Sequence, residues 1–248
     1  TAYMGVRQGA ALIINIFFGT LLNAAYGIAN QVNNAILMLV KNLNQAAVPQ
    51  IMKNYEGVNT DRSLNLVYHV SKYAFFVMFI PAVPIILSID SILTIWLKTV
   101  PSYSKHFTIL MIINGLIGVT SSGFDALIQA TGRIRKTQIW YSIIMIPTLP
   151  LSYLLFKLNY PPFTITIVAI LATIINRFVQ IKILSNISNF KIIDYWNKTM
   201  IPIFLIFVIA IPQYFIRLFF GQDLLSIIVF SILSITLVLS SIYLTGLD

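Results

Sequence analysis

Residues 23–47, NAAYGIANQVNNAILMLVKNLNQAA, hold the pattern that decides how this chain is built. Set at 100° per residue, Asn23, Tyr26, Asn30, Asn33, Asn34, Lys41, Asn44 and Gln45 fall within an arc of about 120°. The opposite arc carries Ile28, Val32, Ala35, Ile36, Leu39, Leu43, Ala46 and Ala47. On a soluble protein such a two-faced helix is ordinary, but the remainder of the chain is not soluble in character. Of 248 residues, 58% are hydrophobic and 9% are charged, with a mean hydropathy of +0.87, where a soluble domain carries roughly 25% charged residues. That is too little charge to cover a globular surface. Lipid is therefore the solvent, and soluble enzymes, disordered tails and nucleic-acid binders are excluded.

A helix needs about 20 apolar residues to cross the hydrocarbon core, because each residue rises 1.5 Å. Eight stretches qualify, at about 5–22, 24–51, 65–89, 106–130, 137–156, 161–184, 200–219 and 224–244. They lack the strict alternation of barrel strands, and only helices or closed barrels satisfy their backbones in lipid. The expected fold is all-α, a polytopic transmembrane bundle of about eight spans. It divides into a six-helix lobe over residues 1–199 and two additional C-terminal helices over 200–248. The connectors, among them KNYEGVNTDRS, GRIRKTQ and SNISNFKIIDYWNKT, are too short to be domains. Pro81, Pro84, Pro147 and Pro150 fall inside spans, where membrane helices tolerate kinks. No charged flank and cleavage site opens the chain, so no signal peptide is expected. The first run begins abruptly at about Gly5, which reads as a region of a longer protein.

The net charge of +9 is mostly topological. With the chain starting in the cytoplasm, one side collects nine basic residues: Arg7, Lys53, Arg62, Arg133, Arg135, Lys136, Lys182, Lys191 and Lys198. The other collects four, Lys98, Lys105, Lys157 and Arg217. That bias is the positive-inside rule. Two N-glycosylation matches, at Asn186 and Asn197, fall on the inner side and are accidental. In the same connector, Phe190, Ile192, Ile193, Tyr195 and Trp196 lie among lysines, as either an interfacial helix or an aromatic belt.

Polar residues inside spans then carry the functional question. Each unpaired amide in hydrocarbon costs several kcal/mol, so the polar face of the second span must meet water or protein. Lys41 precedes Lys53 by roughly 18 Å of helix, which places it near mid-membrane. It is either a functional charge or a snorkelling or structurally paired one. In the fourth span Asn114, Gly118, Ser121, Ser122, Asp125 and Gln129 form a weaker stripe. Asp125 reads as a counter-charge to Lys41, a proton or cation site, or a partner of Arg133 or Lys72. The first span offers Gln8, Ala11, Asn15 and Gly19, for helix packing or ligand contact. At the inner end of the third span Arg62, Asn65, His69 and Lys72 form either a solvated terminus or a cationic mouth. Spans five, seven and eight have almost no polar interior and read as peripheral, with the polar surface concentrated in spans one to four.

The candidate substrate-binding set is therefore Lys41, Asn30, Asn34, Gln45, Asn23, Asn15 and Asn114, with Asp125, His69 and Lys72 as coupling-ion or gate residues. Amides suit hydroxyl-rich ligands, and a lysine suits phosphate. No Walker loop, HExxH, dinucleotide GxGxxG or nucleophile elbow is present, and cysteine is absent. No catalytic residue, cofactor or metal site is expected, and transport is favoured over catalysis.

At GVRQGAALIINIFFGTLLNAAYGIANQVNNAI (residues 5–36), AAVPQIMKNYEGVNTDRS and GFDALIQATGRIRKTQ the chain resembles the polysaccharide flippases of the multidrug/oligosaccharidyl-lipid/polysaccharide exporter superfamily. It is most similar to those of O-antigen and lipopolysaccharide biosynthesis. The resemblance implies the second lobe of a MATE-like fold plus two terminal helices, with an N-terminal lobe elsewhere in the same protein. It also implies a polyprenyl-pyrophosphate-linked oligosaccharide as substrate, a bacterial inner membrane, alternating access between lobes, and H⁺ or Na⁺ as a coupling ion. By the same resemblance Lys41 best fits the cation that meets the pyrophosphate. The alternatives are a drug or metabolite antiporter of the same superfamily, and a non-transporting scaffold of polysaccharide assembly.

Overall fold

The computed structural model describes residues 2–56 and 60–245, so the middle of the KNYEGVNTDRS connector lies outside the described residues. These residues form helices α1 (Ala2–Glu56), α2 (Thr60–Leu87), α3 (Ile89–Trp96), α4 (Ser104–Val119), α5 (Phe124–Ala130) and α6 (Ile134–Met145). The chain continues through α7 (Thr148–Lys157), α8 (Thr164–Ile187), α9 (Ile192–Tyr195), a π turn (Trp196–Met200), α10 (Ile201–Ala210), α11 (Pro212–Arg217) and α12 (Leu224–Thr245). There is no strand among the described residues. Short helices join end to end, so seven continuous helical stretches are long and apolar enough to cross a membrane. The chain is an all-α, polytopic membrane protein.

The pattern predicts eight spans and the fold has seven long helices, and the difference lies at one residue. α1 joins the first two expected spans through Gly19, whose φ of 77° and ψ of −177° are not helical. The Arg7 guanidinium reaches Asn34 Oδ1 at 3.4 Å. Along a straight helix those residues would stand roughly 40 Å apart, so α1 is folded back on itself at Gly19. Ala25 and Ala29 are wholly buried between the arms, beside Ala10 and Ile14. In lipid, where no hydrophobic force joins helices, small residues of this kind let backbones approach. The Gly19 conformation is open essentially to glycine alone, at a cost of about 1–3 kcal/mol for other residues. Gly19→Ala is accordingly expected to lower stability by about that amount, read as a drop in the thermal midpoint of the purified protein in detergent.

α2 is the central helix. Phe75, Phe76, Met78 and Phe79 pack with Ile36 and Val40 of α1, Ile112 and Leu116 of α4, Ile203 and Ile206 of α10 and Val238 of α12. The two C-terminal spans thus share one core with the earlier ones. The apolar reading of those last spans misses one buried polar pair, in which the Ser234 hydroxyl donates to Gln213 Oε1.

The connectors gather at two ends, as alternating spans require. At one end Arg217 Nε donates to Ser88 Oγ at 3.0 Å, Lys105 pairs with Asp90, and Tyr103 packs on Phe163. At the other, the Ser63 hydroxyl donates to the Ile51 carbonyl at 2.9 Å and Lys198 donates to Asn65 at 2.6 Å. Phe190 and Tyr195 are neither an interfacial helix nor a belt, because both are buried against Tyr68 and Phe124. Ile192, Ile193 and Trp196 stay exposed.

Candidate functional site

The fourth expected span is broken. Between α4 and α5 the chain turns through Thr120–Gly123, with Ser121, Ser122 and Phe124 donating to carbonyls three residues back instead of four. The Thr120 and Ser121 hydroxyls also bond to the Ile117 and Gly118 carbonyls. Hydroxyls compete with the helical ladder in this way, and adjacent glycines remove resistance to the break. A methyl group added at Gly123 would lie 3.0 Å from the Val67 Cα, so the break also lets α5 sit against α2.

A break inside a membrane frees carbonyls that need donors, each costing about 1–3 kcal/mol if left without one. Arg177 of α8 supplies two. One guanidinium nitrogen donates to the Ile117 and Gly118 carbonyls at 3.1 and 2.8 Å, and the other donates to Gln180 at 2.8 Å. The Tyr195 hydroxyl reaches the Thr120 carbonyl at 2.9 Å. The Arg177 guanidinium also lies over the Phe124 ring, 5.5 Å from its centroid.

Two chambers that share wall residues lie in this part of the bundle, the larger against the break. The larger, of about 410 Å³, is walled by Lys41 and Asn44 of α1, Ser121, Ser122 and Asp125 beside the break, and Asn176 and Arg177 of α8. The smaller, of about 150 Å³, is walled by Arg7, Tyr26 and Asn30 of the folded α1, with Thr148 and Thr166 opposite. Asn33, Asn114, Tyr141, Met145 and Thr173 border both. Asn33 and Asn114 come together because α4 presents Gly115 to Asn33, whose Oδ1 would be 2.8 Å from a methyl group there. Lys41, Arg7 and Arg177 against Asp125 leave the walls with net positive charge. Among the described residues none of these charges forms an ion pair, the only one being Lys105–Asp90 at the far end.

The expected site residues divide. Lys41, Asn30 and Asn114 face the chambers, as does Asp125, while Asn34 sits beside them as the partner of Arg7. Asn15, Asn23 and Gln45 line neither chamber. Asn23 and Gln45 share the polar arc of the second span, but the fold covers only part of it, and Asn15 belongs to the first arm of α1. His69 and Lys72 also lie off both chambers. Lys72 is buried at 1% exposure with its ammonium 5.1 Å from the centre of the Tyr73 ring, and His69 stacks on the same ring. Asp125 thus borders the larger chamber while His69 and Lys72 stand beside Tyr73 on α2.

Three further expectations change. Arg7, in sequence a charge of the inner flank, is a chamber wall. The mid-membrane depth of Lys41 loses its basis in the count from Lys53: roughly 33 Å of helix separate it from Gly19, about the whole thickness of a core of about 30 Å. Lys53 misleads as a depth marker because α1 runs on unbroken to Glu56, beyond any single crossing. Finally, the polar surface is not confined to spans one to four. The fifth span brings Tyr141 and Thr148, and the sixth brings Asn176, Arg177 and Gln180. An arginine flanked at helical spacing by two amides inside an apolar run is the signal for the sixth.

The described residues include no group of three histidine or acidic side chains placed to hold a metal. Fold and site together define a multi-pass helical membrane protein with a polar, cationic interior. Comparison of the chain with models of known families, with curated proteins and with solved structures finds no match.

Proposed function

We propose that this chain forms one lobe of a transporter that moves a polyprenyl-pyrophosphate-linked oligosaccharide across the bacterial inner membrane during polysaccharide or lipopolysaccharide biosynthesis. The observation that carries the reading is the larger chamber, where Lys41 stands among amides and hydroxyls with no ion-pair partner among the described residues. An ammonium is a compact charge suited to phosphate, and amides match sugar hydroxyls in both donor and acceptor roles. A cavity so polar within apolar spans is costly to maintain, and intramembrane charges of this kind mark substrate pathways. Nothing in the chamber requires covalent chemistry, so the reading is transport and not catalysis. The moving partner is the N-terminal lobe of the same protein, rocking against this one.

The test is reconstitution of the full-length protein in vesicles with a fluorescent polyprenyl-pyrophosphate oligosaccharide in the inner leaflet. Appearance of the label at the outer leaflet supports the reading, and rates equal to protein-free vesicles end it. A scaffold is separated by cysteine accessibility. Cysteines at Asn30 and Lys41 should react with aqueous thiol reagents while one at the wholly buried Met78 does not, and protection of all three removes the lumen. One observation favours a cation antiporter, the carboxylate of Asp125 in the chamber wall. It is outnumbered by Lys41 and Arg177. Uptake of a lipophilic cation driven by a proton or sodium gradient, abolished in Asp125→Asn, would reverse that preference.

A further inference from the structure

The turn between α5 and α6 carries the densest like charge of the chain and borders neither chamber. Arg133, Arg135 and Lys136 are all exposed, and none makes an ion pair among the described residues. No acidic residue occurs between Asp125 and Asp194, so nothing in the surrounding sequence offsets them. The turn is held in one shape. The Thr131 hydroxyl donates to the Ile128 carbonyl at 2.7 Å and accepts the Arg133 N–H at 3.4 Å, and Gly132 takes a φ of 69°, which glycine adopts without strain. From there α6 enters the bundle with Thr137 buried and Tyr141 on the chamber walls. The helical period then fixes the outward face: Arg135 and Lys136 precede Ile139 and Trp140 by one turn, and Ile143 follows by another. All five are exposed. Side chains on a helix lean toward its N-terminus, so the two bases reach away from the membrane core and the apolar side chains lie deeper. Orienting a bundle requires basic residues on one side, but not their alignment with a lipid-facing stripe. The alignment here follows the profile of one phospholipid, with phosphate at the end, the interfacial level where tryptophan settles next, and the acyl chain below. Arginine forks match phosphate oxygens in pairs, and lysine adds a point charge.

We propose that the turn at 133–136 and the outward face of α6 form a seat for an anionic phospholipid, its headgroup on Arg133, Arg135 and Lys136 and its acyl chain along Trp140, Ile139 and Ile143. The seat is independent of what the chambers carry. The test uses the full-length protein with Trp140 as its only tryptophan, in phosphatidylcholine vesicles containing either brominated phosphatidylcholine or brominated phosphatidylglycerol. Quenching of Trp140 gives the preference between the two lipids at the seat. Each basic side chain near an anionic surface strengthens attraction about fivefold, so phosphatidylglycerol should be preferred by about fivefold or more. Arg135→Gln combined with Lys136→Gln should bring the preference below about twofold. Lys53→Gln combined with Arg62→Gln removes the same charge from the same end, on α1 and α2, and should leave it unchanged. Arg135 and Lys136 are exposed and form no ion pair among the described residues. The thermal midpoint of their double variant, in detergent free of anionic lipid, should therefore match the wild type, which separates lost binding from lost folding. A wild-type preference below about twofold overturns the seat. So does an equal fall in both double variants, which would mark a diffuse field, and so does displacement of the lipid by millimolar inorganic phosphate, which would assign the turn to free anions.

Discussion

Lys41→Ala in the full-length protein is expected to abolish surface polysaccharide while protein abundance stays normal. The ammonium lies on an exposed position of α1, borders the larger chamber and makes no ion pair among the described residues, so its removal breaks nothing that holds the bundle together. A hydrogen bond to a charged group contributes about 1.5–3 kcal/mol, and losing it from a substrate phosphate lowers affinity by roughly 10- to 150-fold. Lys41→Arg keeps the charge on a bulkier, planar head and should retain part of the activity. Quantitation of polysaccharide by gel staining, with immunoblotting for abundance, checks both variants. Wild-type polysaccharide in Lys41→Ala would remove this residue from the mechanism.

Arg177→Met is expected to have the opposite signature, lost stability before lost binding. Its guanidinium holds the Ile117 and Gly118 carbonyls at the break between α4 and α5. The Thr120 and Ser121 hydroxyls still reach those carbonyls, so what is lost is two hydrogen bonds from a charged group at about 1.5–3 kcal/mol each, about 3–6 kcal/mol together. Against a total stability of about 5–15 kcal/mol, that is enough to deplete the folded protein. Arg177→Lys should recover only part of it, because one ammonium does not reproduce the planar fork that spans both carbonyls and Gln180. Size-exclusion profiles and thermal midpoints in detergent read the effect. An unchanged midpoint in Arg177→Met would show that water or the neighbouring hydroxyls satisfy the break without it. The two variants therefore separate the cation free to meet a ligand from the cation already committed to the fold.

Much of this architecture is legible in the chain. Long apolar runs bounded by charged connectors specify helices in lipid because few alternatives satisfy a backbone there, and the 100° periodicity of α1 alone is enough to bring Asn30, Asn33 and Lys41 to one face. The lapses have physical causes. Periodicity gives the direction of a side chain but not what stands opposite, so Asn23 and Gln45 share the arc of Asn30 and Lys41, Asn15 lies on the polar face of the first arm, and all three miss the chambers. The stripe from Asn114 to Asp125 assumes a continuous helix, whereas hydroxyl competition at Thr120 and Ser121 interrupts it. His69 and Lys72 sit at the right spacing for a cationic mouth, and both stand against Tyr73, off the two chambers.

What the sequence determined by itself was the solvent, the helical class and the identity of one polar face, since these follow from composition and the fixed rise and twist of a helix. The tertiary structure decided which cations are free and which are spent. In sequence Arg7 looks like a flanking charge, and Arg177 belongs to none of the polar patterns read there. Only the fold-back at Gly19 and the break beside α5 make the first a chamber wall and the second a donor to carbonyls nearly sixty residues away along the chain. Hydrogen bonds between helices depend on where backbones lose their own partners, and local pattern does not encode that.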